Sequence, residues 1–191
     1  MRTRTLLLLA CVAGLICAAC GSDVGPSPAA PPPCEQLCQD QTGLRTLREA
    51  MKLVFNLTLQ GKPVGKHDYT VPCPLGGKAR IFGEAFSNAS QGSTDVKLTY
   101  VLEGCTVLER DDEPEENYRM TVSGTIEQAG VIAVQPSATT ALSMKSADVT
   151  LSGTVYDPPI PYEAKSCPVL LSQTGSRLSG TLCGRDTTTD L

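Results

Sequence analysis

Thr94-Asp95-Val96-Lys97-Leu98-Thr99-Tyr100-Val101-Leu102-Glu103 alternates apolar and polar side chains, with only Val101 out of step. Successive side chains on a strand point to opposite faces, so this alternation describes a strand with one face on a core and the other in water. The pattern recurs downstream. Tyr118, Met120, Val122 and Ile126 alternate with Arg119, Thr121, Ser123, Thr125 and Glu127. Val149, Leu151 and Val155 alternate with Asp148, Thr150, Ser152 and Thr154. One wet face and one dry face is the signature of antiparallel sheets. Further strands are expected at 78–86, 131–135, 141–145, 167–171 and 176–183, where short apolar runs end in turn residues.

The segment before this β region has a different period. Leu44, Leu47, Met51, Val54 and Phe55 recur at helical steps, with Arg45, Arg48, Glu49 and Lys52 on the other side. Gly43 is a natural boundary before it, and Gly61-Lys62-Pro63 ends it. From Leu53 to Leu59 the residues also fit a strand; the helix reading, to about residue 60, is preferred. The expected fold class is therefore mainly β, with one N-terminal amphipathic helix at about 44–60. The sheet is expected to be an antiparallel coiled sheet, a sandwich or a partial barrel.

Ser-Gly-Thr occurs three times, at Ser123-Gly124-Thr125, Ser152-Gly153-Thr154 and Ser179-Gly180-Thr181. Each glycine falls in phase with the apolar residues of its strand, as Gly83 does between Ile81 and Ala85. A mid-strand glycine weakens a sheet unless another backbone comes close or the sheet bends. Such glycines are expected to line a trough against the helix, or else to leave room for an apolar ligand.

Residues 34–191 are enough for one domain with a sizeable core. They contain six of the nine cysteines: Cys34, Cys38, Cys73, Cys105, Cys167 and Cys183. An even number in an exported chain favours disulfides. None of the six shows the C-x2-C spacing of a zinc site, and the only histidine is His67, so neither a metal nor another cofactor is expected. Sequence alone permits 15 pairings of six cysteines. Hairpin arithmetic ranks them. A turn centred on Gly175 sets Cys167 opposite Cys183, a bulge near Pro168 reconciling their faces. A turn in Asn88-Ala89-Ser90-Gln91-Gly92 sets Cys73 near Cys105, and Cys34 remains for Cys38.

The N-terminal region is of another kind. Arg2 and Arg4 precede the apolar stretch Leu6–Ala19, which is too short to span a bilayer comfortably and ends in small residues. With Ala18-Ala19-Cys20-Gly21-Ser22 the leader resembles that of bacterial lipoprotein precursors, although Cys17 stands where that family usually has Leu. The resemblance covers the leader alone. It implies a signal peptide at 1–19, lipid on the Cys20 sulfur, and membrane attachment through that lipid. Gly21 is not the Asp that in the family favours the inner membrane, which points to the outer membrane of a two-membrane cell. The rival reading is an ordinary secretory signal cut after Ala19. Residues 21–33, with five prolines, form an extended spacer of about 40 Å, as an anchored domain needs.

Composition narrows the partners. The chain has 16 basic and 20 acidic residues, and nothing basic clusters after the leader, so nucleic acid is not expected. Five Tyr, three Phe and no Trp argue against a carbohydrate-stacking surface. His67-Asp68 is the one pair that begins a nucleophile–base system, but it lies in a Gly- and Lys-rich connector without a nucleophile motif. The acidic run 109–117 lacks the spacing of a calcium loop. No catalytic residue is therefore assigned. The expectation is a non-enzymatic, lipid-anchored envelope protein with a structural or interaction role. The alternative is a carrier for lipid or another apolar ligand in the concave face of the sheet.

Overall fold

A computed structural model describes residues 33–62, 64–88, 92–110, 117–133, 140–156 and 158–190. The leader, Cys20 and the spacer up to residue 32 lie outside these residues, as do most of the acidic run and the middle of the 88–92 turn. One helix, α1 (Gln36–Thr58), precedes eight strands. These are β1 (Gly65–Pro72), β2 (Lys78–Asn88), β3 (Ser93–Glu109), β4 (Tyr118–Ala133), β5 (Ala141–Val155), β6 (Ile160–Thr174), β7 (Arg177–Leu182) and β8 (Arg185–Asp190). Each pairs antiparallel with the next, giving one eight-stranded meander in chain order. The class is mainly β with one N-terminal helix. The single sheet is neither a sandwich nor a barrel: β1 and β8 are its edges, and it is not strongly curled.

The helix runs across the sheet. Its 23 residues make a rod of about 35 Å, close to the width of eight strands spaced about 4.8 Å apart. Near its start, the Tyr162 hydroxyl on β6 donates to the Gln39 carbonyl at 3.1 Å, and Arg185 on β8 pairs with Asp40. Beyond its far end, the Lys62 ammonium lies 4.1 Å from the Tyr69 ring centre on β1. Asp40, Gly43, Leu44, Leu47, Ala50, Met51, Val54 and Thr58 form the buried stripe, at the three- and four-residue steps that put side chains on one helix face.

The helix thus begins two turns before the expected boundary at Gly43. Gly43 is inside it because the helix approaches the sheet closely there: a Cβ would lie 2.8 Å from Leu182 Cδ2 and 3.2 Å from the Tyr162 hydroxyl. Small size, not turn geometry, explains this glycine. At the other end, helix rather than strand prevails through Thr58.

Several strands are longer than their apolar patterns, because bulges reverse the pattern midway. On β3, Val96, Leu98, Tyr100 and Leu102 face the core, then Cys105 and Val107 do; the pairing with β4 slips between Leu102 and Cys105. On β5 the inward set changes from Leu142, Met144 and Ser146 to Val149, Leu151 and Val155, with the slip after Ser146. On β6 it changes from Tyr162 to Cys167, Val169 and Leu171, across Ser166 with φ +50°. An extra residue in one strand swaps its faces, which is what a bulge does. The segments expected at 131–135 and 141–145 are accordingly the ends of β4 and β5, 131–133 and 141–145, with 134–135 outside the described residues.

The in-phase glycines mark close backbone approach. A Cβ on Gly83 would meet the Lys97 carbonyl oxygen of β3 at 2.1 Å, and one on Gly180 would meet that of Leu170 on β6 at 2.2 Å. Both glycines have a φ near +140°, +135° and +142° respectively, which side chains rarely permit. Neighbouring backbone, not a ligand pocket, fills the space at these two positions.

Three disulfides join Cys34 to Cys38, Cys73 to Cys105 and Cys167 to Cys183. Two reach the expected pairing by a different geometry. The β6–β7 turn centres between Gly175 and Ser176, with Thr174 opposite Arg177 and Val169 opposite Leu182. Cys183 therefore leaves β7 on the outward phase. It turns back through φ +52°, with its N–H on the Pro168 carbonyl at 2.9 Å, and so reaches the buried Cys167. The bulge expected near Pro168 is present: the β5–β6 register slips between the Ser146–Val169 and Val149–Cys167 pairs, which flank Pro168, and again just before Cys167. Cys73 is not on the strand facing Cys105; it sits in the β1–β2 connection, its N–H bonded to the Gly77 carbonyl.

Candidate functional site

The helix covers the sheet unevenly. Beside its C-terminal half, a groove of about 490 Å³ opens between α1 and the ends of β2 to β7. Two adjacent helical rows face it. Met51, Phe55 and Leu59 form an apolar row, and Arg48, Lys52 and Asn56 a polar one, each at four-residue steps. The sheet contributes Ala85, Ile132, Leu142, Met144 and Leu178, which extend the apolar lining. The half-exposed Val64 adds an apolar lip.

One buried polar pair lies in this lining. The Tyr100 hydroxyl donates to Gln128 Oε1 at 2.9 Å, and both residues are buried. Burial drives the Tyr100 hydroxyl pKa far above its ordinary value, so it stays a protonated donor. Thr94, Thr140 and Gln173 supply further polar atoms. A concave, mostly apolar site of a few hundred Å³ with a few polar groups is the usual form of a small-molecule pocket.

Charge is distributed asymmetrically around it. Arg48, Lys52 and Lys62 line the groove, and among the described residues no Asp or Glu does. Glu49, one position beyond the lining, pairs with Arg48 at 3.3 Å and with Lys52 at 3.4 Å. Three cations against this one carboxylate leave a positive rim.

His67 is not in a solvated connector. It is on β1, opposite Gly83, and its ring lines the groove and stacks with Tyr69 at 5.8 Å between centres. Hydrophobic patterning misses this strand because its inward positions are Gly65, His67, Tyr69 and Val71, only two of them apolar by ordinary scales. His67 Nδ1 is buried without a hydrogen-bond partner among the described residues. Asp68 is on the other face of β1. There it accepts from Arg80 Nε at 2.7 Å and Nη2 at 2.6 Å, and these bonds pull its carboxyl below the usual range. The strand thus separates the two members of the candidate pair.

A shallower depression lies beside the β5 bulge, among Gly124, Glu127, Lys145 and Asp148. Among the described residues, no three His, Cys, Asp or Glu side chains gather as a metal site requires, and no helix is long and apolar enough to cross a membrane. No family model, curated protein or solved structure matches the chain.

Proposed function

We propose that this chain is a bacterial envelope protein anchored through lipid on Cys20, and that its β domain binds an apolar ligand in the groove beside α1. The leader supports the anchor. The groove favours the carrier role over a purely structural one, and the observation that carries this is its lining: Phe55, Leu59, Ile132, Leu142 and Met144 converge on about 490 Å³ of open space. That volume suits a single acyl chain or a compact apolar molecule. The Tyr100–Gln128 pair gives the mostly apolar wall a fixed, buried polar point.

The test uses the mature chain, residues 20–191 with Cys20→Ser, and the neutral apolar dye N-phenyl-1-naphthylamine. Saturable binding at one dye per chain is expected, with loss of most of it in Phe55→Arg. Phe55 is only half-buried, so this variant keeps its urea midpoint within about 1 kcal/mol of stability. A chain with all three disulfides formed that binds no dye refutes the carrier role.

A further inference from the structure

We infer that the ligand of this groove is an anionic amphiphile: one acyl chain in the apolar channel, and a carboxylate or phosphate head held at the Arg48–Lys52–Lys62 rim. The inference rests on the groove being the ligand site and adds the charge of what it takes.

The two helical rows supply the design. Met51, Phe55 and Leu59 point along the channel, while Arg48 and Lys52 lie one row over at its border. Lys62, just past the helix, closes the border from the β1 side. Long basic side chains lay their methylenes along apolar surface while their charged ends stay in water, so such a border can hold a head group without burying a cation. Lys52 is 55 % exposed and Arg48 33 %, which fits that placement.

Charge complementarity selects the head group. The chain as a whole is acidic, with a formal net charge of −4, yet among the described residues the groove lining carries three basic side chains and no carboxylate. Glu49 occupies only part of the charge of Arg48 and Lys52. Lys62 has an aromatic neighbour, the Tyr69 ring at 4.1 Å, rather than an acid at salt-bridge distance. A cation on a ring face keeps its outward N–H donors for an anion. A neutral head group would gain no ion pair from this rim, and a cationic one would be repelled by it.

Four single-chain ligands displacing N-phenyl-1-naphthylamine from the mature Cys20→Ser chain test this: dodecanoate, dodecanol, lauroyl lysophosphatidylglycerol and lauroyl lysophosphatidylcholine. At low salt each anionic ligand is expected to compete about five- to tenfold better than its neutral or zwitterionic counterpart, the effect of two or three exposed ion pairs. Preference for dodecanoate alone identifies a free fatty acid; preference for the lysophosphatidylglycerol as well identifies an anionic lipid head. Lys52→Glu with Lys62→Glu is expected to reduce the preference below about twofold while dodecanol competes as before, and about 0.5 M salt to do the same by screening. Equal competition by all four ligands against bound dye overturns the charge assignment and leaves the groove as an apolar site. Failure of the dye to bind at all overturns the groove itself.

Discussion

Asp40 of α1 and Arg185 of β8 form an ion pair that closes the helix start onto the last strand, with Arg185 Nη2 2.7 Å and Nε 3.1 Å from Asp40 Oδ1. Gln36 Nε2 donates to both Asp40 oxygens, at 2.9 and 3.0 Å. Asp40 is buried, so removing Arg185 leaves a desolvated carboxylate with one neutral donor. Arg185→Met is expected to lower stability by about 1–3 kcal/mol. Asp40→Asn with Arg185→Met should cost less than the two single changes combined, and urea titration of the four chains reads that coupling.

Close backbone approach makes a sharper prediction at the glycines. Gly180→Ala places a Cβ on the Leu170 carbonyl oxygen and is expected to cost about 3 kcal/mol or more. Gly184→Ala is the control: its φ is +78°, but nothing lies within 4 Å of the added carbon, so about 1 kcal/mol is expected. Similar losses at both sites, measured by denaturant unfolding, would show that backbone angle and not crowding governs Gly180.

Alkaline pH should unfold the domain through its tyrosines. Burial, with Asp40 adding to it and Arg185 opposing, raises the Tyr162 hydroxyl from an ordinary value of 10 to about 12; Tyr100 and Tyr118 are raised further. A raised pKa means the folded state holds its proton where the unfolded chain has lost it. The stabilisation is whole below pH 10 and is lost as pH climbs through about 12. Absorbance at 295 nm should show most of the tyrosines ionising together with loss of structure, and Tyr162→Phe should make the stability profile shallower above pH 10.

The three bridges should differ in worth by the length of chain they close. Loop-closure entropy gives about 2 kcal/mol for Cys34–Cys38, about 3 for Cys167–Cys183 and nearly 4 for Cys73–Cys105, whose sequence separations are 4, 16 and 32. Replacing each pair by alanine and comparing urea midpoints checks the order; a reversed order would point to strain or denatured-state structure instead.

Incorporation of labelled fatty acid into the full chain tests the anchor. Label on the wild-type chain and none on Cys20→Ser is expected. Equal labelling of both, or label on neither, refutes lipid at Cys20.

The features that alternate were legible in the sequence; those that depend on pairing were not. β3, the start of β4 and the later part of β5 show their inward rows directly. β8, Arg185-Asp186-Thr187-Thr188-Thr189-Asp190, has no apolar side chain and is a strand only because β7 offers it a ladder. The first two turns of α1 are polar and contain Gly43, so no helical stripe announces them. The parity reversals at the bulges made β5 and β6 read as shorter strands. Disulfide pairing was recoverable because chain distance tolerates an error of one or two residues, whereas facing does not. The groove was foreshadowed only as room for an apolar ligand on the sheet. Its basic border arises from neighbouring helical rows meeting a turn, a proximity that no linear spacing between Arg48 and Lys62 displays.

The helix is also a ruler. Cys34 and Cys38 brace its start beside the β8 edge, while the groove borders the half that ends near β1. A spacer entering at Cys34 therefore attaches at one end of a rod of about 35 Å, and the groove opens along the other. On the proposed anchor at Cys20, the point of attachment and the groove mouth would fall toward opposite ends of the helix.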